Sequence, residues 1–282
     1  MRVLTFNIHG WRTTEGALNG QRVARVIRES RADVVGLNEV YHPLGQTEDS
    51  NSCSRLSLLD QIAGELGMDR VFGPCLRWPA TDTMPEQSYG NALLSRWPII
   101  ASAAHHLAPV PEREQRGLLE ARILLPNDRP LTVYVTHLDH IDEAARLTQL
   151  RSLRAWTSRD RNRPHLVMGD FNAVAPWDFA QRRGDLERLA AARPASAFLL
   201  QEGGMQVVPM MEKAGYVDAM SAVGQAGQGT FRPAAVPLRI DYVFVSQPLV
   251  PALRHVQVWR ETPGQEASDH RPVLVEISEI GD

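Results

Sequence analysis

The sequence predicts an α/β architecture: a mixed β-sheet, or two packed sheets, with helices outside. Three observations carry this reading. Period-two runs rich in β-branched residues recur along the chain, as in Val3-Thr5-Asn7, Val35-Leu37-Glu39, Val133-Val135-His137 and Asp241-Val243-Val245, and such alternation marks strands. Amphipathic runs at helical spacing lie between the first of them. From residue 90 to 137, NALLSR, LLEARILL and LTVYVTH follow one another with short polar breaks, which suits antiparallel neighbours.

Taken in order, MRVLTFNIHG reads as a strand with Asn7 and His9 close behind it. GQRVARVIRESR is a surface helix, with Val23, Val26 and Ile27 on one side and Arg22, Arg25 and Arg28 on the other. After the strand that ends near Glu39, a second helix runs from Leu56 through Leu59, Ile62 and Ala63 to Leu66, and Gly67 supplies its C-terminal stop. A third helix spans about Asp142 to Trp156, with Leu147, Leu150 and Leu153 inward and Arg146, Arg151 and Arg154 outward. Strands are expected at HLVMG near 165 and at IDYVFV near 240, and Gly184 to Met211 reads as a substrate-side loop with a helix.

The chain has 282 residues, 43% hydrophobic and 22% charged, with no repeat or low-complexity segment. That composition suits a globular protein with a sizeable core, and one domain over 1–282 is expected. The apolar runs fall short of the roughly 20 residues that span a bilayer, and no basic then apolar leader opens the sequence. A cytoplasmic monomer is expected. A net charge of −3 removes the electrostatic footprint of a protein that coats nucleic acid. Cys53 and Cys75 stand apart from any histidine cluster and are expected as reduced thiols.

Polar residues gather where the strand patterns end: Asn7, Glu39, His137, Asp170 with Asn172, Asp241, and Asp269 with His270. Loops at strand ends can bring such groups around one ligand. An oxygen-rich set without cysteine suits a hard cation, Mg²⁺ or Mn²⁺, with Glu39 as the best single ligand. Zinc would draw on His105-His106 or on His137, Asp139 and His140, a thinner set.

In order, FNIHG, GLNEV, THLDH, GDFNA, RIDYVFVS and SDHRP resemble the motifs of the endonuclease/exonuclease/phosphatase superfamily from residue 3 to about 277. The resemblance implies a four-layer α/β sandwich, two mixed sheets packed face to face with helices outside, and a metal site at one edge. It implies Glu39 as the main Mg²⁺ ligand, with Asn7 beside it and Asp269 contributing. Asp170 and Asn172 would position the attacking water and a phosphate oxygen. His270 matches the catalytic histidine, Asp241 its carboxylate partner, and His137 the histidine that holds the phosphate. Asp170 and His270 both stand as the group that takes the water's proton.

Departures from the family pattern are His9, where many nuclease members carry aspartate, and the lack of a glutamate between Pro74 and Trp78 to support His137. Asp139 or Glu86 is the substitute expected there. Arg116, Tyr89 and Asn91 are candidates for contact with the phosphate. The reaction class implied is phosphoester hydrolysis, on a small or exposed phosphoester. A nuclease acting on abasic or single-stranded DNA is the alternative, with the arginine-rich run from Arg146 to Arg163 read as a solvated helix face. A non-catalytic binding module on the same scaffold is the third reading, and the retention of every catalytic residue argues against it.

Overall fold

The structure is a computed structural model that describes residues 1–43, 57–81, 86–224 and 228–278. Cys53 and Leu56 lie outside these residues; Cys75 is buried and free.

Two six-stranded sheets form the frame. The first runs in the order β11 (Leu253–Val258), β12 (Val273–Ile277), β1 (Arg2–Asn7), β2 (Val34–Pro43), β4 (Gln87–Ser95) and β3 (Asp69–Trp78). The second runs β5 (Ile99–His106), β6 (Gly117–Leu124), β7 (Pro130–His137), β8 (His165–Asp170), β10 (Asp241–Val245) and β9 (Val217–Asp218). β1 is parallel to β2 and β7 to β8, while the other pairs are antiparallel. Both sheets are therefore mixed, as expected.

The alternation along each strand decides what it faces. Val3, Val34, Leu93, Val133, Val135, Leu166, Met168, Val243 and Val275 point between the sheets and form the central core. The intervening residues Leu4, Phe6, Val35 and Leu37 pack outward on Val23, Val26 and Ile27 of α1 (Gly20–Ser30) and on Leu59 and Ile62 of α2 (Leu58–Leu66). On the other side Tyr134, Val167, Tyr242 and Phe244 pack on Leu150 and Leu153 of α3 (Glu143–Thr157). α4 (Arg183–Ala192), a 3-10 stretch over Pro194–Leu200, α5 (Val207–Lys213) and the short α6 (Ala219–Ala222) follow, and Leu186, Leu189 and Leu199 join Val236, Leu238 and Ile240 in a smaller cluster. The order is helix, sheet, sheet, helix.

The helix ends follow local chemistry. Ser57 and Asp142 accept backbone N–H groups at the starts of α2 and α3, and Gly67 closes α2 at φ 61°. One neighbour relation differs from expectation: NALLSR belongs to β4 and pairs with β2 and β3, not with LLEARILL. The chain crosses to the second sheet through β5, an edge strand whose residues are mostly exposed and so show no alternation.

Candidate active site

Continued along the inward-facing registers, the central core runs into polar residues at one edge of the sandwich. Val3 and Thr5 lead to Asn7, Val133 and Val135 to His137, Leu166 and Met168 to Asp170, and Val245 and Val243 back to Asp241. The parallel pairs bring Asn7 opposite Asn38, and His137 opposite Asp170. Strict alternation would turn Glu39 away from this edge. A bulge between Leu37 and Val40 interrupts the β2–β4 register, and Glu39 takes a positive φ of 60° within it. Such backbone costs about 1–3 kcal/mol for a non-glycine residue and is characteristic of sites where a side chain must be re-aimed.

The result is a network. Asn7 Nδ2 donates to Glu39 Oε1 and to Asp170 Oδ2, each at 3.0 Å. Behind it, Asn38 Oδ1 accepts the Asp170 N–H at 2.9 Å, and its Nδ2 donates to Asn91 Oδ1 and Thr136 O. Asp170 Oδ2 lies 3.5 Å from His137 Nε2 and 3.8 Å from His270 Nε2. His270 Nδ1 donates to Asp241 Oδ2 at 2.9 Å. Asn172, at φ 48°, donates its N–H to Asp170 Oδ1 and brings Nδ2 to 3.0 Å from His137 Nε2. Ser268 ties this assembly to β1, donating from Oγ to Asn7 O and accepting the His270 N–H. All of this opens on a cleft of about 450 Å³.

Protonation states diverge within it. Burial, offset in part by His270, raises Asp170 to about 7. Burial disfavours a charged His270, but the Asp241 and Asp170 carboxylates outweigh it and raise His270 to about 10. Burial, then the neighbouring Arg116, hold His137 well below the usual imidazole range. Near neutral pH the site thus offers an imidazolium at His270, a neutral imidazole at His137 and a carboxyl poised to exchange a proton at Asp170.

The sequence profile of the Endonuclease/Exonuclease/phosphatase family matches residues 4–270. The chain belongs to the endonuclease/exonuclease/phosphatase family. This is a family of phosphoester hydrolases, generally dependent on a divalent metal. The protein YbhP of Escherichia coli (strain K12), itself described as uncharacterized, is 28% identical over 287 residues, covering 98% of this chain and 95% of that one. The structure of an endonuclease/exonuclease/phosphatase from Beutenbergia cavernae superposes with a TM-score of 0.71 at 24% identity, covering 99% of this chain and 72% of that one. A mannosyl-6-phosphatase from Bacteroides thetaiotaomicron does so at 0.65 and 17%, covering 98% and 99%. At these identities the structural likenesses establish the fold and leave the substrate open.

Against the family pattern, Glu39, Arg116, Tyr89, His137, Asp170, Asn172, Asp269 and His270 all line the cleft, and Asn7 and Asp241 stand directly behind it. Asn91 does not reach it. It is 2% exposed, and its amide is occupied by Asn38, Gly117 O and Val135 O, so it bolts the two sheets together. Asp139 and Glu86 do not support His137 either. Asp139 accepts the N–H groups of Ile141 and Asp142, and Glu86 is exposed and outside the cleft. Arg116 Nη1 at 3.3 Å and Tyr89 Oη at 3.4 Å occupy that role on His137 Nδ1. His9 keeps to its own turn, with its N–H on Asn7 Oδ1. His105 and His106 lie on β5 outside the cleft, and His140 faces Arg116 Nη2 at 3.1 Å.

Arg146 also departs from expectation. It is 1% exposed and faces the cleft, because the first turn of α3 packs against the cleft wall rather than solvent. Sequence reading passed over Asn38, Ser268, Arg193, Phe198 and Phe231 as site residues, although GLNEV and SDHRP contain the first two. The segment from Gly184 to Met211 does border the cleft, through Arg193, Ser196, Phe198 and Leu199.

Two groupings bear on a metal. Ligand-type atoms of Asp170, Asp241 and His270 all lie within 4.8 Å of one another. Two of these, His270 Nδ1 and Asp241 Oδ2, already share a proton, which makes that trio an imidazolium site. Glu39 and Asp269 line the cleft with no arginine or lysine within ion-pair distance among the described residues. Excess carboxylate oxygen without a protein counter-ion fits a hard divalent cation.

Proposed function

We propose that the protein is a Mg²⁺- or Mn²⁺-dependent phosphoesterase that hydrolyses a small or exposed phosphoester by in-line attack of water. The observation that carries this reading is the position of Asp170, which shares the hydrogen-bond donor Asn7 Nδ2 with Glu39 and lies within 4 Å of both histidines. Glu39, with Asp269 and the second lone pair of Asn7 Oδ1, would hold the cation. When bound it supplies positive charge against the phosphate oxygens.

The chain's own groups supply the rest. Asp170, raised to about 7, accepts the proton of a water hydrogen-bonded to it. His270, kept protonated and oriented by Asp241, faces a phosphate oxygen and neutralises charge that grows as the ester bond breaks. His137 and Asn172 hold a second oxygen from the opposite side, with Arg116 behind His137. A small substrate is favoured because the net charge is −3, so the chain as a whole carries no positive excess to attract a polyanion.

The test is hydrolysis of bis-p-nitrophenyl phosphate, p-nitrophenyl phosphate, plasmid DNA and abasic duplex over a Mg²⁺ titration, with Glu39→Gln alongside. Wild-type activity on one of the small esters and at least about a tenfold loss in Glu39→Gln at low Mg²⁺ are expected. Wild-type turnover by Glu39→Gln at low Mg²⁺ would falsify the metal assignment, and a higher kcat/KM on DNA would overturn the small-ester reading.

A further inference from the structure

Arg146 is buried at the wall of the cleft and fixed by two hydrogen bonds. Its Nε donates to Glu143 Oε2 at 2.8 Å and its Nη1 to Asp139 O at 3.0 Å. Glu143 in turn accepts the N–H groups of Gln206 and Val207 on Oε1. The guanidinium is thereby fixed between α3, the loop that follows His137 and the start of α5. Its Nη2 nevertheless has no hydrogen-bond partner among the described residues, although the side chain is 1% exposed. A buried guanidinium donor left without a partner carries a desolvation cost that an anionic ligand in the cleft would remove.

Arg193 stands nearby in the fold. It is exposed, caps the end of α4 and immediately precedes the 3-10 stretch that carries Phe198. Its guanidinium lies over the Phe231 ring at 5.5 Å, and that ring is 5.1 Å from the His270 imidazole. Arg146 lies over the Phe198 ring at 5.0 Å. His270 is thus connected to Arg193 through the Phe231 ring, and Arg146 packs on Phe198 in the same wall of the cleft. Both arginines line the same cleft, and Arg193 has no carboxylate counter-ion among the described residues.

We propose that Arg146 and Arg193 form a second anion subsite, so that the substrate is a phosphoester bearing another anionic group, a phosphate or a carboxylate, on its esterified moiety. This rests on the phosphoesterase reading above. The planar guanidinium is suited to paired contacts with such oxygens. A substrate lacking the anion leaves the Arg146 donor unmet, which is the basis of selectivity.

The test is calorimetric titration of the full chain in Mg²⁺ buffer with two uncleavable probes, propylphosphonate and propane-1,3-bisphosphonate. Wild type should bind the bisphosphonate at least about tenfold more tightly, the equivalent of one good charge-assisted contact. Arg146→Gln and Arg193→Gln should each cut that ratio to about threefold or less. Arg193 is exposed, so its variant decides the matter if Arg146→Gln does not fold. No preference in wild type, or a wild-type ratio in the folded variants, overturns the subsite. Wild-type turnover of bis-p-nitrophenyl phosphate, measured alongside, reports on the hydrolase reading separately: turnover without probe preference removes the subsite alone, and preference without turnover of any phosphoester removes the hydrolase reading, and the substrate named here with it, leaving a site that binds two anions.

Discussion

Asp241 shows what a single carboxylate does here. It is buried, and its Oδ2 orients His270 through Nδ1 while Oδ1 has no hydrogen-bond partner among the described residues. Asp241→Asn keeps the shape and removes the charge that favours the imidazolium. We expect kcat on the best small ester to fall by about tenfold or more with the fold intact, checked by steady-state kinetics and circular dichroism. His165 poses a separate question of stability. Its Nδ1 donates to Arg163 O, its Nε2 accepts from Tyr216 Oη, and burial lowers its pKa. The unfolded chain then takes up the proton first, so this residue's contribution is full above about pH 6.5 and fades below it. Asp170, raised to about 7, runs the other way, so the difference between wild type and His165→Gln is the quantity to follow. In denaturant titrations that difference should shrink by up to about 1 kcal/mol between pH 6.5 and 5.5. Asp241 and the other residues of the six motifs could be named from the sequence, whereas His165 was not singled out and some orientations could not be read. Alternation alone sends Glu39 to the wrong face, and a helical face alone sends Arg146 to solvent, because neither rule sees a bulge or a neighbouring wall.

Among the elements, the β7–β8 pair holds the site most closely, because its register sets His137 against Asp170. Gly169 makes this approach feasible. It sits at φ 138°, and a Cβ there would lie 1.9 Å from Thr136 O, a backbone atom that cannot step aside. We expect Gly169→Ala to lower unfolding stability by about 3 kcal/mol or more and to abolish turnover, measured by urea titration and by the diesterase assay. Helices α1 and α3 were readable because each has one buried face and therefore a clear period, and strands β1, β2, β7 and β10, buried on both faces, because β-branched residues recur along them and a polar residue stands at one end. β5 and β9 were not. The first is an exposed edge rich in alanine and serine, and the second is two residues long. Which sheet β4 joins was also hidden, since pairing partners depend on crossovers that local pattern does not encode.

For the whole molecule, the packing of two mixed sheets concentrates carboxylates, imidazoles and arginines at one edge, while the overall charge stays slightly negative. A ligand gripped there through one or two anionic groups displaces few counter-ions. We expect activity on the best small phosphoester to fall by no more than about threefold between 50 and 200 mM salt. A log-log slope steeper than about −4, together with better turnover of duplex DNA, would mean that an extended polyanion path exists. The first and last strands also meet: β1 lies between β12 and β2, the Met1 amino group donates to Ile277 O across 276 positions, and Ser268 Oγ fastens to Asn7 O. On the ribosome, β1 and β2 emerge first and wait with one flank open. A nascent chain can already contain Glu39, His137 and Asp170, yet it lacks the imidazolium at His270 and the ladder that steadies Asn7. The proposed site is thus completed only by a late segment of the chain, the one that carries His270 and β12.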